Sequence, residues 1–332
     1  MKGPAMREHA LPREEAPPGS EKARWKKWAG NAFGLFLLAA VAWVIVDRAR
    51  TIDWPAVWQA LRAYPATTLA AILALSALAH AVFASYELLA KRYLRHDIPK
   101  RKVMAVGLVC FAFNLNLGSW IGGYAFRWRL YQRLGLRPGQ IARLLAFNLV
   151  TNWSGYFFLA GALIASGLFK PPPPIELGEW LRLVGVALMA VPAVYVLAAW
   201  RSRRREWHFR DHEFELPTGP LAATQIAVSA VHWVVTGLII NLLLPADIGF
   251  ATVLGTLMSA AVVGAMLHVP GGLGVIEAVF LASLGGRMAE GPLVAALLAY
   301  RAAFYLLPLL TATVMHLTLE ALARRRERAA GG

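Results

Sequence analysis

A single cysteine, Cys110, stands in a chain of 332 residues. It lies inside an apolar run, so the chain holds neither an intrachain disulfide nor a multi-cysteine metal site. Acidic charge is also scarce: 19 Asp and Glu against 34 Lys and Arg give a formal net charge of +15. No glycine-rich phosphate loop ending in Lys and Ser or Thr occurs, and neither an HExxH run nor a GxSxG elbow. Within this sequence, that leaves no nucleotide-driven pump and no hydrolase signature, and the chain reads as a non-enzyme without a cofactor. His80, His232 and His268 are scattered without metal-ligand spacing and read as structural hydrogen-bonding groups. His208, Asp211, His212 and Glu213 crowd together, but a solvated cytoplasmic loop is the expectation there rather than a metal cluster. No small-residue cleavage site marks a secretory signal after the first apolar run.

What is present is apolar sequence in long pieces. Hydrophobic residues make up 58% of the chain, and runs of membrane-spanning length alternate with clusters of Arg and Lys, the pattern of a polytopic helical membrane protein. The basic clusters sit at the ends of apolar runs, where they fix orientation and meet anionic headgroups, so the positive charge does not argue for nucleic acid.

Taken in order, Met1 to Ala29 reads as a disordered basic cytoplasmic tail, residues 30–320 as one integral membrane domain, and residues 321–332 as a second basic cytoplasmic tail. Gly30 to Val46 is expected to cross outward. Thr51 to Pro65 carries Asp53 before Pro55 and apolar residues at helical spacing, which predicts a short helix on the outer interface. Ala66 to Tyr86 returns to a cytoplasmic cluster that includes Lys91, Arg92 and Arg95. Val103 to Phe126 is long enough to cross, yet Asn114, Asn116, Gly118, Gly122 and Gly123 interrupt it, and Arg127, Arg129, Arg133 and Arg137 follow. A hairpin that enters from the cytoplasm and returns keeps those arginines inside. Ile141 to Phe169 crosses outward, Pro171 to Pro174 forms an extended strut, Leu181 to Trp200 crosses inward with a kink at Pro192, and Leu221 to Leu244 crosses outward. Ala251 to Gly286 then holds a second break at Pro270 to Gly274. The ten residues from Val275 to Leu284 are too few to span, so a re-entrant hairpin from the outer face is expected. Pro292 to Leu317 ends inside. The predicted fold is all-α, with about six full transmembrane helices, two re-entrant hairpins, cytoplasmic termini and a candidate inverted repeat.

The chemistry concentrates at the two breaks. Backbone broken at membrane depth is tolerated where it lines a polar cavity or is buried in protein. Arg301 lies well inside the last apolar segment, where a cation costs about 2.5 to 3.5 kcal/mol on insertion scales. Glu277, one turn beyond Gly274, is its expected partner. The functional reading is a groove in which Arg301 meets a lipid phosphate while Glu277 meets an amine or Arg301 itself; the structural alternative is an ion pair bracing the hairpin. Gly271, Gly272 and Gly274, with Gly122 and Gly123 in the first break, let backbone amides approach a headgroup. Arg127 and Arg129 are candidates for a phosphate at the inner mouth, while Arg133 and Arg137 read as anchors. Asn114, Asn116, Asn148 and Asn152 add uncharged polarity around the first hairpin.

These residues carry a resemblance. Phe113-Asn114-Leu115, Trp120-Ile121-Gly122-Gly123, Arg127-Trp128-Arg129-Leu130-Tyr131, Thr151-Asn152-Trp153, Gly274-Val275-Ile276-Glu277-Ala278-Val279-Phe280 and Ala299-Tyr300-Arg301 are similar to the transmembrane flippase-domain family of lysylphosphatidylglycerol synthases. Within it the chain resembles specifically the stand-alone, YbhN-like branch of bacterial inner-membrane proteins. The resemblance implies lipid translocation without the aminoacyl-transfer domain of the full synthases. It also implies membrane phospholipids as partners, with a homo-oligomer or a lipid-metabolism protein as further candidates. The broader family has a Pro-Gly-Arg-x-Gly-Glu pattern in the first hairpin, whereas Ser119 and Trp120 stand where its Pro and Gly would be and Tyr124 replaces the acid. If that acid touches the headgroup in relatives, the same headgroup is not implied here, and the resemblance to the stand-alone branch does not settle a substrate. The expected function is translocation of a phospholipid or related anionic lipid. The alternative is a lipid-binding scaffold or accessory subunit, and a lipid enzyme ranks third because paired carboxylates and nucleophile-base sets are missing.

Overall fold

The computed structural model describes residues 54–118, 123–169, 178, 180–202, 206–209, 212–267, 269 and 272–315. The expected tails, the first crossing at Gly30 to Val46, Asp53, the proline strut and His268 lie outside the described residues. Among the described residues, ten helices and one strand pair follow one another: α1 (Trp54–Ala63), α2 (Ala66–Leu94), α3 (Lys100–Leu117), α4 (Phe126–Arg133), α5 (Pro138–Ala165), α6 (Trp180–Arg201), β1 (Glu206–Phe209), β2 (His212–Glu215), α7 (Gly219–Asn241), α8 (Phe250–Leu267), α9 (Val275–Leu284) and α10 (Glu290–Arg301). The last continues through a π-helical turn, Ala302–Leu306, so that one apolar rod runs from Glu290 to Met315.

Among the described residues, five helices are long and apolar enough to cross a bilayer: α2, α6, α7, α8 and the rod begun by α10. At 1.5 Å per residue the 29 residues of α2 reach about 43 Å, well beyond the hydrocarbon core. The sequence reading ended this segment at Tyr86, but the helix runs eight residues further and carries Glu87 inside it. The 10 residues of α9 reach only about 15 Å, and α9 packs on α8, as a hairpin requires. Both expected breaks are real interruptions. Helix α3 stops at Gly118, whose φ of 83° a side chain would resist, and α8 stops at Leu267 before the chain resumes through Gly272 and Gly274 at φ 56° and 76°. Helix α6 continues through Pro192. One expectation is corrected: the segment around His208, His212 and Glu213 is an antiparallel strand pair, in register from Glu206↔Glu215 to Phe209↔His212. Glu215 ties it to the helices through Arg143 of α5, whose Nη2 donates to Glu215 Oε2 at 2.6 Å.

Lipid tails give little reward for burying one apolar helix against another, so close approach and interhelical hydrogen bonds must hold the bundle. Helices α5 and α6 meet at Gly161 and Gly185. A Cβ on Gly161 would lie 2.6 Å from the Gly185 carbonyl oxygen, and one on Gly185 would lie 2.5 Å from the amide of Ala165. Helices α5 and α7 meet at Gly155 and Ser229, where the Ser229 hydroxyl donates to the Asn152 carbonyl at 2.8 Å. Two cores result. The larger joins Phe83, Tyr86, Ile239, Leu257, Phe280, Leu297 and Phe304 around the second hairpin. The other gathers Val106, Cys110, Tyr131, Ile141 and Leu144 around the first. Gly161→Val should therefore destabilise the protein by about 1 to 3 kcal/mol, the usual cost of overpacking. Gly139→Ala, with nothing within 4 Å of the new methyl, should leave the midpoint of thermal unfolding in nanodiscs unlowered.

Candidate functional site

Each hairpin break is gripped by an arginine. In the second, Arg301 closes α10 and reaches back to α9. Its Nε donates to Glu277 Oε1, and its Nη2 donates to Glu277 Oε2 at 2.9 Å and to the Gly272 carbonyl at 2.8 Å. The guanidinium carbon lies 5.1 Å from the centroid of the Tyr305 ring. Position and partner were legible in the sequence, and the bidentate fork is the geometry that suits guanidinium to carboxylate. Beyond Arg301, the π-turn would leave carbonyls loose, but Ser76 Oγ donates to Ala303 O at 2.8 Å and Asn116 Nδ2 donates to Tyr305 O at 3.2 Å.

In the first hairpin the arginine stands on the returning arm. Arg127, in the first turn of α4, donates from Nε to Glu87 Oε1 at 2.6 Å and from Nη1 to the Gly123 carbonyl at 3.0 Å. Glu87 is fully buried, and its carboxylate also accepts from Tyr131 Oη at 2.7 Å and from Asn148 Nδ2 at 2.9 Å. The sequence reading missed Glu87. It lies at the edge of an apolar run, four residues before Lys91, and there passes for an interfacial charge. The available signal was the apolar Leu88-Leu89-Ala90 that follows it.

Between the two breaks lies a cavity of about 650 Å³. The first hairpin contributes Asn114, Gly118, Gly123, Tyr124 and Arg127 to its wall, and the second contributes Val269, Gly272 and Ile276. Helix α5 adds Asn148, Asn152, Trp153 and Tyr156, and α7 adds His232 and Trp233. At Gly123 the Asn114 side chain comes close to the backbone: a Cβ there would lie 2.7 Å from Asn114 Oδ1 and would push that amide aside. Apolar rings complete the wall, with Phe83 stacked on Phe111 at 3.7 Å between centroids and Tyr300 stacked on Phe304 at 5.3 Å.

Of the residues singled out from sequence, Asn114, Gly123, Arg127, Asn152 and Gly272 meet at this cavity. Arg301 and Glu277 hold its wall from behind, through the Gly272 carbonyl and beside Tyr305. Asn116 is spent on the π-turn, with a second bond from its Nδ2 to Ala112 O at 2.8 Å. Gly274 starts α9, and Arg129 is exposed on α4. Gly122 and Gly271 lie outside the described residues. His80 and His232 bond backbone carbonyls of Ser76 and Ala79 at 2.8 and 3.1 Å, the structural role expected of them. No cluster of His, Cys, Asp and Glu suited to a metal occurs among the described residues. Removing one partner of the Glu87–Arg127 pair leaves a buried charge, so Glu87→Gln or Arg127→Gln should each cost about 3 to 5 kcal/mol of stability. The apolar double replacement Glu87→Leu with Arg127→Met should recover most of it in the same denaturation measurement.

Comparison with known proteins agrees with this architecture. The family model for the lysylphosphatidylglycerol synthase TM region matches residues 31–312. Inner membrane protein YbhN of Escherichia coli is 36% identical over 304 residues, covering 91% of this chain and 95% of its own length. An uncharacterized protein of Synechocystis is 30% identical over 315 residues, with the same two coverages. Phosphatidylglycerol lysyltransferase of Staphylococcus haemolyticus is 24% identical over 69% of this chain but only 27% of its own length. With its apolar helices and these relatives, the chain is a multi-pass protein of the bacterial inner membrane. A match from residue 31 to residue 312, joined by relatives aligned along nearly their whole length, means that the chain belongs to the lysylphosphatidylglycerol synthase TM region family.

Proposed function

We propose that this protein is a lipid translocase, a non-enzymatic carrier that passes a lipid headgroup through the cavity while the acyl chains stay in the bilayer. The observation that carries the reading is the cavity itself. It lies between two broken helices, takes amide side chains from α3 and α5 and the backbone at Gly272 from the second hairpin, and is flanked by apolar rings. Moving a headgroup through bare hydrocarbon would strip its hydrogen bonds, and a path lined by amides and backbone carbonyls removes much of that cost. The relative that pairs this domain with a lysyltransferase name is consistent with work on lipids. Membrane phospholipids or related lipids are the partners, and movement is downhill or coupled to an ion gradient.

Reconstitution tests the proposal. In liposomes with a fluorescent lipid in both leaflets, dithionite bleaches only the outer leaflet of protein-free vesicles, and the wild-type protein should expose the inner pool as well. Arg301→Ala, which loosens the second hairpin, should slow that phase by about tenfold, equivalent to roughly 1.4 kcal/mol. Binding of lipid with no bleaching of the inner pool would assign the protein instead to the scaffold role.

A further inference from the structure

The rim of the cavity is apolar. Of its described lining residues only Leu117, Leu149 and Ala265 are exposed, the two leucines at 41% and 47%. The asparagines of α3 and α5 are less exposed and lie further in. A mouth that met bulk water would carry polar side chains at its edge, whereas exposed leucines around an opening in a membrane protein mark a boundary with lipid tails.

The helices on either side of that boundary are α5 and α8. Their pairings make them antiparallel and close them against each other over one half. Tyr156 Oη donates to the Met258 carbonyl at 2.8 Å, and Tyr156, Ala160, Leu254 and Met258 share one core. Further along, a Cβ on Gly255 would lie 2.3 Å from Cγ of Phe169. Towards the start of α5 and the end of α8 the seam opens. Leu145 and Leu149 there face the cavity from one side, and Gly264 and Ala265 face it from the other. Gly264 leaves room between them: a Cβ built on it would meet only Val275 of α9, at 4.0 Å.

This open half lies at the basic end of the bundle. Arg137 caps α5, Arg143 stands two residues before Leu145, and α2 brings Lys91 and Arg92 to the same end through the core shared by Ala90, Ile141 and Leu144. Such clusters sit at the headgroup level of one leaflet. At 1.5 Å per residue, Leu149 is about 9 Å deeper along α5 than Arg143. The slot therefore runs from headgroup level into the tails, with apolar edges on the bilayer side and amides behind them.

We propose that the slot between the open halves of α5 and α8 is the entrance by which a diacyl lipid comes in sideways from the leaflet at the basic end. Its headgroup passes between the helices toward Asn114 and Asn152, and its tails stay against Leu117, Leu149 and Ala265. This rests on the translocase reading above and assigns its point of entry.

The test uses the full chain in nanodiscs of phosphatidylcholine that carries a photoactivatable diazirine midway along one chain, with adducts assigned to residues by mass spectrometry. Outward-facing Val191 reports the surrounding lipid and should be labelled. Adducts on Ala261 and Gly264, which line the cavity without being exposed, are expected from tails in the slot. Their absence when Val191 is labelled overturns the inference. Gly264→Trp fills the slot and should remove the Ala261 adduct and slow bleaching of the inner lipid pool by at least about tenfold, whereas Val191→Trp changes neither. A folded Gly264→Trp protein with the wild-type rate and the wild-type Ala261 adduct also overturns it; should that variant not fold, the wild-type adduct map decides. Adducts in the slot without bleaching of the inner pool overturn the translocase proposal alone, and bleaching without adducts in the slot overturns this inference alone.

Discussion

A chain that breaks its helices inside a bilayer must find partners for the backbone groups it frees, because lipid supplies none. Here an arginine does this at both breaks. Arg127 reaches the Gly123 carbonyl and Arg301 reaches the Gly272 carbonyl, each while gripping a carboxylate. The arginine cancels a charge and ties down a turn in the same contact, so neither the break nor the ion pair stands without the other.

The two grips are built differently. In the first hairpin the arginine rides on the returning arm and the carboxylate comes from the long neighbouring helix. In the second the returning arm carries Glu277 and the neighbouring helix carries the arginine. The surroundings differ too. Glu87 accepts from three donors, on Arg127, Tyr131 and Asn148, in a fully buried position, whereas the Arg301 pair is more open, with side-chain exposures of 11% and 22%. Two pinned hairpins with apolar helices around them leave a cavity between the breaks, and the asparagines of α3 and α5 bring polar groups to its largely apolar wall. Small residues then let α5 approach both α6 and α7 closely enough to close the bundle around it.

Much of this was legible in the residues. Glycines and prolines inside apolar runs announce breaks, and a charge such as Arg301 or Glu277 in such a run is rare enough to mark its own partner. Glu87 escaped because hydropathy cannot tell an interfacial carboxylate from one drawn into the protein by an arginine forty residues away. The aromatic wall escaped for another reason: in helices that are apolar all round, periodicity does not say whether Trp153 and Trp233 face lipid, protein or a cavity. The strand pair at Glu206–Phe209 and His212–Glu215 was taken for a loop, although aromatic and polar residues alternate through it with the period of two that marks a strand.

If a headgroup passes through the cavity, water must reach the space between the two breaks. With Cys110 replaced by alanine, a single cysteine at position 152 in the cavity wall can be compared with one at position 191, an exposed valine midway along α6. A charged, membrane-impermeant thiosulfonate reagent, applied to both faces, should modify Asn152→Cys readily and leave Val191→Cys unreacted in lipid. Protection of position 152 to the same degree as position 191 would contradict the account, because the cavity would then be closed to water and to any headgroup.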